Sequence, residues 1–358
     1  MTAPPAATPL SAADIRVSVE KILHTFLTRP HYSDSRLEQA VGALRAFVLR
    51  GGKRLRPLMC CVGHLAVAGH PPPLPVLRAA ASLELFHAFA LIHDDILDAS
   101  DTRRGGPTLH RALAPGGPGR EPSEAEQRDG IGRALLMGDL ALVWSDTILH
   151  TSGLTPDQLA AVRPVVDAMR AEIVGGQYLD VATAGDAQAC VETALVVIRY
   201  KTAKYTVERP LHLGAVLAGA GPSLLEELTA YALPLGEAFQ LRDDLLGVFG
   251  DPTVTGKSRL DDLREGKPTV LIALAQRAAA PAERRRLDEL LGRADLEDVQ
   301  AEQIRQILTA CGARRQVEDM IEERRRRVLH QLAHASPLHP AAVELLRSLA
   351  DSATRRTA

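Results

Sequence analysis

VLRAAASLELFHAFALIHDDILD, residues 76–98, decides what kind of fold this chain adopts. Its apolar residues recur at spacings of three and four, the signature of a helix with about 3.6 residues per turn. At its end three carboxylates, Asp94, Asp95 and Asp98, rise directly out of the apolar run Phe89-Ala90-Leu91-Ile92. Residues four apart share a helix face, so Asp94 and Asp98 form one stripe with Asp95 beside it. His87 lies on the same stripe about two turns back, with the small Ala90 between. Unpaired charge at the end of a buried helix is costly, so something there must want negative charge.

The same period runs through 13–28, 36–48, 54–69, 131–150, 156–182, 187–200, 224–249 and several segments after 268. No alternating run bounded by hairpin dipeptides interrupts it, so the sequence predicts an all-α protein. Pro71-Pro72-Pro73, residues 114–124 and Gly250-Asp251-Pro252 punctuate the helices, and 251–268 reads as an exposed polar loop. No break in composition divides the 358 residues, so one domain over 1–358 is expected, with a loose, disordered tail at 1–11.

Composition narrows the function. A formal net charge of -2 with no long basic run gives no electrostatic footprint for nucleic acid or an anionic membrane. No stretch approaches the ~20 uninterrupted apolar residues of a membrane span. Cys60, Cys61, Cys190 and Cys311 follow no metal-ligand spacing, and reduced, buried thiols are expected. With no leader-like start, the expected location is cytoplasmic.

A second acidic cluster answers the first. In FQLRDDLLGVFGD, residues 239–251, Gln240, Asp243 and Asp244 fall on one face of an otherwise apolar helix. Either cluster alone could be a solvated helix end. Two of them, with hard oxygen donors, suit Mg²⁺, which keeps several waters and completes its shell with substrate phosphate oxygens. Cations for such phosphates are at hand. GGKRLRP at 51–57 places Lys53, Arg54 and Arg56 at a helix start, where the dipole also favours anions. Arg103 and Arg104 follow the first cluster, and arginine forks grip phosphate bidentately. Lysine is scarce, occurring only at 21, 53, 201, 204, 257 and 267, yet Lys201-Thr202, Lys257 and Lys267 sit in distinctive stretches. Six acidic groups, several lysines and several arginines together would balance two diphosphates and several Mg²⁺ ions.

GGKRLRP, LIHDDILD followed by RRGGPT, KT at 201–202, and FQLRDDLLGVFGD followed by GK at 256–257 resemble, in order and spacing, the motifs of the trans-isoprenyl diphosphate synthases, the polyprenyl synthetase family. The resemblance spans about 40–290. It implies antiparallel helices bundled around a deep central cavity, usually in a homodimer, with both aspartate motifs at the cavity mouth. It implies Mg²⁺ held by Asp94, Asp98 and Asp243, with Asp95 and Asp244 in or next to that shell. Three ions per site are implied, with Mn²⁺ as a substitute. Arg103, Lys201, Thr202, Gln240, Lys257 and Lys267 would hold the allylic diphosphate, and Lys53, Arg56, His87 and Arg104 isopentenyl diphosphate.

The activity implied is head-to-tail condensation of isopentenyl diphosphate with dimethylallyl, geranyl or farnesyl diphosphate. Phe89 and Ala90, below the first motif, resemble the chain-length positions of geranylgeranyl diphosphate synthases; farnesyl or geranylfarnesyl synthase is the alternative. A class I terpene cyclase lacks support because the second motif has no Ser or Thr in the metal-binding place. A non-catalytic subunit would typically have lost aspartates or basic partners that are kept here. One departure stands out: Gly247 occupies the position where the family often has a third aspartate, and Asp251 is the nearest replacement along the sequence.

Overall fold

The computed structural model describes residues 11–29, 32–116, 120, 122–184, 190–251, 259–334 and 338–354. They are helical almost throughout. The helices are α1 (Ala12–Leu27), α2 (Ser35–Leu49), α3 (Leu55–Ala68), α4 (Leu74–Leu97), α5 (Leu109–Leu113), α6 (Glu124–His150), α7 (Pro156–Thr183) and α8 (Val191–Val197). A π-helical segment, Ile198–Glu208, continues into α9 (Arg209–Leu217), followed by α10 (Pro222–Phe249). Beyond these lie α11 (Asp261–Glu265), α12 (Val270–Ala278), α13 (Pro281–Leu290), α14 (Asp298–Ala310), α15 (Ala313–His334) and α16 (Pro340–Thr354). The expected loose tail lies outside the described residues except for Ser11, which caps α1 by accepting the Asp14 N–H.

α4 is the central column. Ala79, Ala80, Ala81, Leu83, Leu85, Phe86, Ala88 and Ile92 are all buried, and the helix packs on α6, α3 and α1. By length and composition alone it could cross a membrane, but 61% of the qualifying window is buried within the protein. Its one acidic residue before the motif, Glu84, is ion-paired with Arg54 at 2.7 Å. It is therefore a core helix of this fold. A second apolar cluster, drawn from α8, the π-helical segment and α10 to α15, includes Leu241, Leu245, Leu263, Leu271, Leu287, Ile304 and Ile321.

Three close approaches depend on glycine. A Cβ at Gly214 would lie 1.7 Å from the Cys60 carbonyl oxygen, and one at Gly63 would lie 2.1 Å from that of Leu211, so α3 and α9 touch backbone to backbone. The π-helical segment is gripped from two sides. A Cβ at Gly176 of α7 would be 2.5 Å from the Lys201 nitrogen, and one at Gly236 of α10 would be 2.4 Å from the Ala203 Cα. The wider winding needs that room. Pro210, just beyond the segment, supplies no N–H and crowds the carbonyl four residues earlier, which favours unwinding from the α-helical pattern there.

The strand-free expectation needs one correction. β1 (Thr102–Arg103) and β2 (Gly106–Pro107) form a two-residue antiparallel hairpin. Its turn is Arg104 and Gly105, with φ of 52° and 72°, as a two-residue loop requires when both positions are left-handed. The predicted loop over 251–268 also contains a helix, α11. Of the four cysteines, Cys60 and Cys61 are buried as expected, but Cys190 is exposed and Cys311 half-buried.

Candidate active site

α4 ends at its carboxylates. Ala99, with φ of 51°, stops the helix, while the Ser100 N–H reaches the Asp95 carbonyl and the Ala99 N–H that of Ile96. Three acidic side chains thus crowd the end of a helix where the dipole disfavours anions. Cations from other elements offset this. Lys201 of the π-helical segment donates to Asp94 at 2.9 Å and to Asp180 of α7 at 2.6 Å. Lys267 donates to Asp98 at 2.6 Å and pairs with Glu265 at 3.1 Å. Arg103, from the hairpin, donates through Nε and Nη2 to Asp95 Oδ1.

All of these groups except the fully buried Asp95 line one cavity of about 630 Å³, together with Arg104, Thr202, Gln240, Asp243, Asp244, Asp261 and Asp262. Thr202 donates to Gln240 at 2.8 Å, and Gln240 in turn donates to Asp244 at 2.7 Å. Both acidic motifs therefore meet in one place with Lys201, Lys267, Arg103 and Arg104. The lining holds nine carboxylates against five cationic side chains. That excess of hard oxygen donors fits Mg²⁺. Among the described residues no three ligating side chains close a metal shell by themselves. The shell is one to be completed by phosphate oxygens, as expected for that ion.

The electrostatics separate the aspartates. Burial works to raise the Asp94 pKa, but the charges of Lys201 and Lys267 outweigh it and hold the carboxylate ionised. Asp98 is raised, by burial and then by Asp94. Burial pushes Asp95 up to about 6 and Asp244 to about 7. Asp95 is fully buried, and its Oδ2 has no hydrogen-bond partner. Its other oxygen, Oδ1, accepts both Arg103 hydrogen bonds, so Asp95 aims that guanidinium.

The second basic group forms an adjoining site. Lys53, Arg56 and His87 do not line the polar cavity, whereas Arg104 does. Arg104 Nη1 donates to the Gly51 carbonyl at 2.6 Å, joining the hairpin to the Gly51-Gly52 turn. Arg56 lies 4.1 Å over the Tyr205 ring and donates to Thr206 Oγ1 at 2.8 Å. His87 Nδ1 sits 3.1 Å from the Tyr205 hydroxyl. Arg54 is structural: buried, left-handed at φ 49°, and paired with Glu84.

Burial, and then the charges of Arg56, Arg104, Arg103 and Arg54, push the His87 pKa well below its usual range. The folded protein thus prefers neutral His87, while the unfolded chain takes up a proton below about pH 6.5. Stability should fall with acid below that point, by up to about 1.4 kcal/mol per pH unit from this residue. His87→Asn should flatten the slope of urea-unfolding free energy between about pH 6.5 and pH 5 by roughly one proton. A slope matching the parent protein would mean His87 protonates freely in the folded state.

Some expected residues fall elsewhere. Lys257 lies outside the described residues. Asp251 is exposed beyond the end of α10 and does not line the cavity, so it does not fill the gap at Gly247. Neither Phe89 nor Ala90 lines it. Phe89 packs with Phe86 at 5.5 Å and His93 at 4.5 Å between ring centroids. Asp180, Tyr205, Asp262 and Glu265 are site residues that no motif announced.

Comparison with known proteins was made against this geometry. The family model described as Polyprenyl synthetase matches residues 38–309. The chain is 34% identical over 260 residues to a geranylfarnesyl diphosphate synthase from Aeropyrum pernix, covering 72% of this chain and 76% of that one. It is 32% identical over 280 residues to a geranylgeranyl diphosphate synthase from Methanosarcina mazei, covering 78% of each. Among solved structures, a geranylgeranyl pyrophosphate synthase from Corynebacterium glutamicum, complexed with isoprenyl diphosphate and magnesium, superposes with a TM-score of 0.91. That protein is 41% identical, and the match covers 97% of this chain and 100% of that one.

Proposed function

The chain belongs to the polyprenyl synthetase family and is a short-chain trans-prenyltransferase; on that premise we propose that its main product is geranylgeranyl diphosphate. The observation that carries the site assignment is the single cavity lined by both aspartate clusters and by Arg103, Arg104, Lys201 and Lys267. In this reading Asp94, Asp98 and Asp243 would hold Mg²⁺, which when bound neutralises charge on the diphosphate. Three ions, replaceable by Mn²⁺, suit the number of carboxylates.

The rest of the chemistry belongs to the protein. Lys201 and Lys267 leave their carboxylate partners to meet the allylic diphosphate, joined by Arg103, Thr202 and Gln240. Lys257, by family resemblance, adds to this set. Arg56, Lys53, Arg104 and neutral His87 orient isopentenyl diphosphate, with His87 able to donate one hydrogen bond without adding charge. Fixed cations stabilise the leaving diphosphate as the allylic carbon ionises. Holding the isopentenyl double bond beside that carbon replaces any covalent catalyst. The released diphosphate is the base that takes the proton.

Product length is supported by the aromatic stack of Phe89 with Phe86 and His93 below the motif. We assign Phe89 as the side chain that closes the path of the growing tail, Ala90 being too small to block a shorter one. An apolar strip of exposed residues on α6 and α7, including Leu136, Val143, Val174 and Tyr178, supports a homodimer formed through that face. Four unbridged cysteines suit a reducing cytoplasm.

The test is incubation with Mg²⁺, isopentenyl diphosphate and dimethylallyl, geranyl or farnesyl diphosphate in turn, followed by dephosphorylation and chain-length analysis. A dominant C20 alcohol is expected. Dominant C15 or C25 would move the assignment to farnesyl or geranylfarnesyl synthesis and remove Phe89 from its role.

A further inference from the structure

The hairpin that presents Arg103 and Arg104 is too small to hold itself. Its ladder is two residue pairs long, Thr102 with Pro107 and Arg103 with Gly106. A ribbon of that size has no stability of its own in water, so its orientation is set by what it touches. Thr108 anchors the base, donating from Oγ1 to the Ser100 carbonyl at 2.8 Å. The strands are held by an arginine just outside the GGKRLRP motif. Arg50, at the end of α2, donates from Nη1 to the Pro107 carbonyl at 2.9 Å and to the Arg103 carbonyl at 3.4 Å.

The grip is reciprocal. Arg104 reaches back from the hairpin to the Gly51 carbonyl at 2.6 Å, one residue beyond Arg50. Each guanidinium also lies over a glycine of the other element. A Cβ at Gly106 would be 2.5 Å from Arg50 Nη1, and one at Gly52 would be 3.1 Å from Arg104 Cζ. Both heads are fixed by the carbonyls they donate to, so neither place is open to a side chain. Arg50 itself does not line the polar cavity, whereas Arg103 and Arg104 do. We propose that Arg50 is a positioning residue for isopentenyl diphosphate. It clasps the hairpin to the Gly51-Gly52 turn, at the spacing that lets Arg104 meet the same diphosphate as Lys53 and Arg56, and it touches no substrate.

The proposal rests on the assignment of Arg104 to isopentenyl diphosphate above, and Arg104→Ala tests that assignment separately. Steady-state kinetics of the full-length protein are measured with Mg²⁺, farnesyl diphosphate and varied isopentenyl diphosphate. Arg50→Ala should raise KM for isopentenyl diphosphate roughly 10-fold, the scale of a displaced binding group. Arg50→Gln, neutral but still a donor to the Pro107 carbonyl, should lose less. Equal losses in the two would mean that charge is what matters and would overturn the clasp. Adding Arg50→Ala to Arg104→Ala should change KM little, because both act through one group. Losses that multiply would show Arg50 binding diphosphate itself and would also overturn it. Hydrogen exchange of the 101–108 amides should quicken in Arg50→Ala while that of α4 stays as in the parent. Quickening in α4 as well would make Arg50 a residue of general stability and sink the positioning role. Parent-like KM in Arg50→Ala, with KM raised in Arg104→Ala, would overturn the clasp alone. Parent-like KM in Arg104→Ala would overturn the site assignment and the clasp together.

Discussion

Replacing Asp94 by alanine should lower kcat by about 10³-fold, the scale of losing a principal charge-stabilising group at a reacting centre. Two effects combine. One carboxylate proposed to bind metal disappears from the stripe it shares with Asp98, and Lys201 loses one of its two partners, leaving only Asp180. Released toward Asp180, Lys201 is no longer poised at the mouth of the cavity. Folding should be unharmed, because the substitution removes an anion from the unfavourable end of α4. Steady-state turnover and thermal melting of the metal-free protein check both halves. A loss of activity under tenfold would place Asp94 outside the machinery that binds diphosphate.

Gly236→Ala should be strongly destabilising. The added carbon would meet Ala203 at its Cα, 2.4 Å away, its Cβ and its carbonyl oxygen, atoms that no side-chain rotation can move. The helix must shift, and overpacking of this kind costs about 3 kcal/mol. Tm should fall by roughly 4 °C. Because Lys201 and Thr202 ride on the displaced segment, turnover should fall as well. Gly132→Ala is the control: the same change on α6, where nothing lies within 4 Å, gains helix propensity and should be neutral or stabilising by up to about 1 kcal/mol. Equal melting temperatures for the two variants would show that the π-helical segment is not wedged between α7 and α10.

Much of this was legible because it is written in local patterns. The period of residues 76–98 marks a buried helix, and the spacing of Asp94 and Asp98 puts them on one face whatever lies opposite. What was not legible depends on neighbours distant in sequence. Asp180 follows Gly-Gly-Gln-Tyr-Leu with no second charge beside it, and it becomes a site residue only because Lys201 packs against its helix. Asp262 sits in a polar run that reads as loop, and it becomes a cavity residue only because α11 packs beside α10. The π winding of 198–208 was hidden because apolar spacing in so short a stretch fits an ordinary helix equally well. Arg54 and Arg56, two residues apart, look equivalent in GGKRLRP. Burial against Glu84 makes one structural, while the other faces Tyr205.

The backbone contact of Gly63 with Leu211 and of Gly214 with Cys60 bears on motion. α3 carries Arg56, and α9 continues directly from the segment carrying Lys201 and Thr202. Helices that touch without intervening side chains cannot slide or part without breaking many contacts at once, so the two binding halves travel as one rigid body. The Arg56 to Thr206 hydrogen bond spans the same seam. Any breathing that admits substrate or frees product must therefore occur on the bank where Arg103 of the hairpin and the turn of Lys267 meet the carboxylates of α4 through ion pairs. Those ion pairs are the latch, and raising ionic strength should loosen that bank before it touches the other.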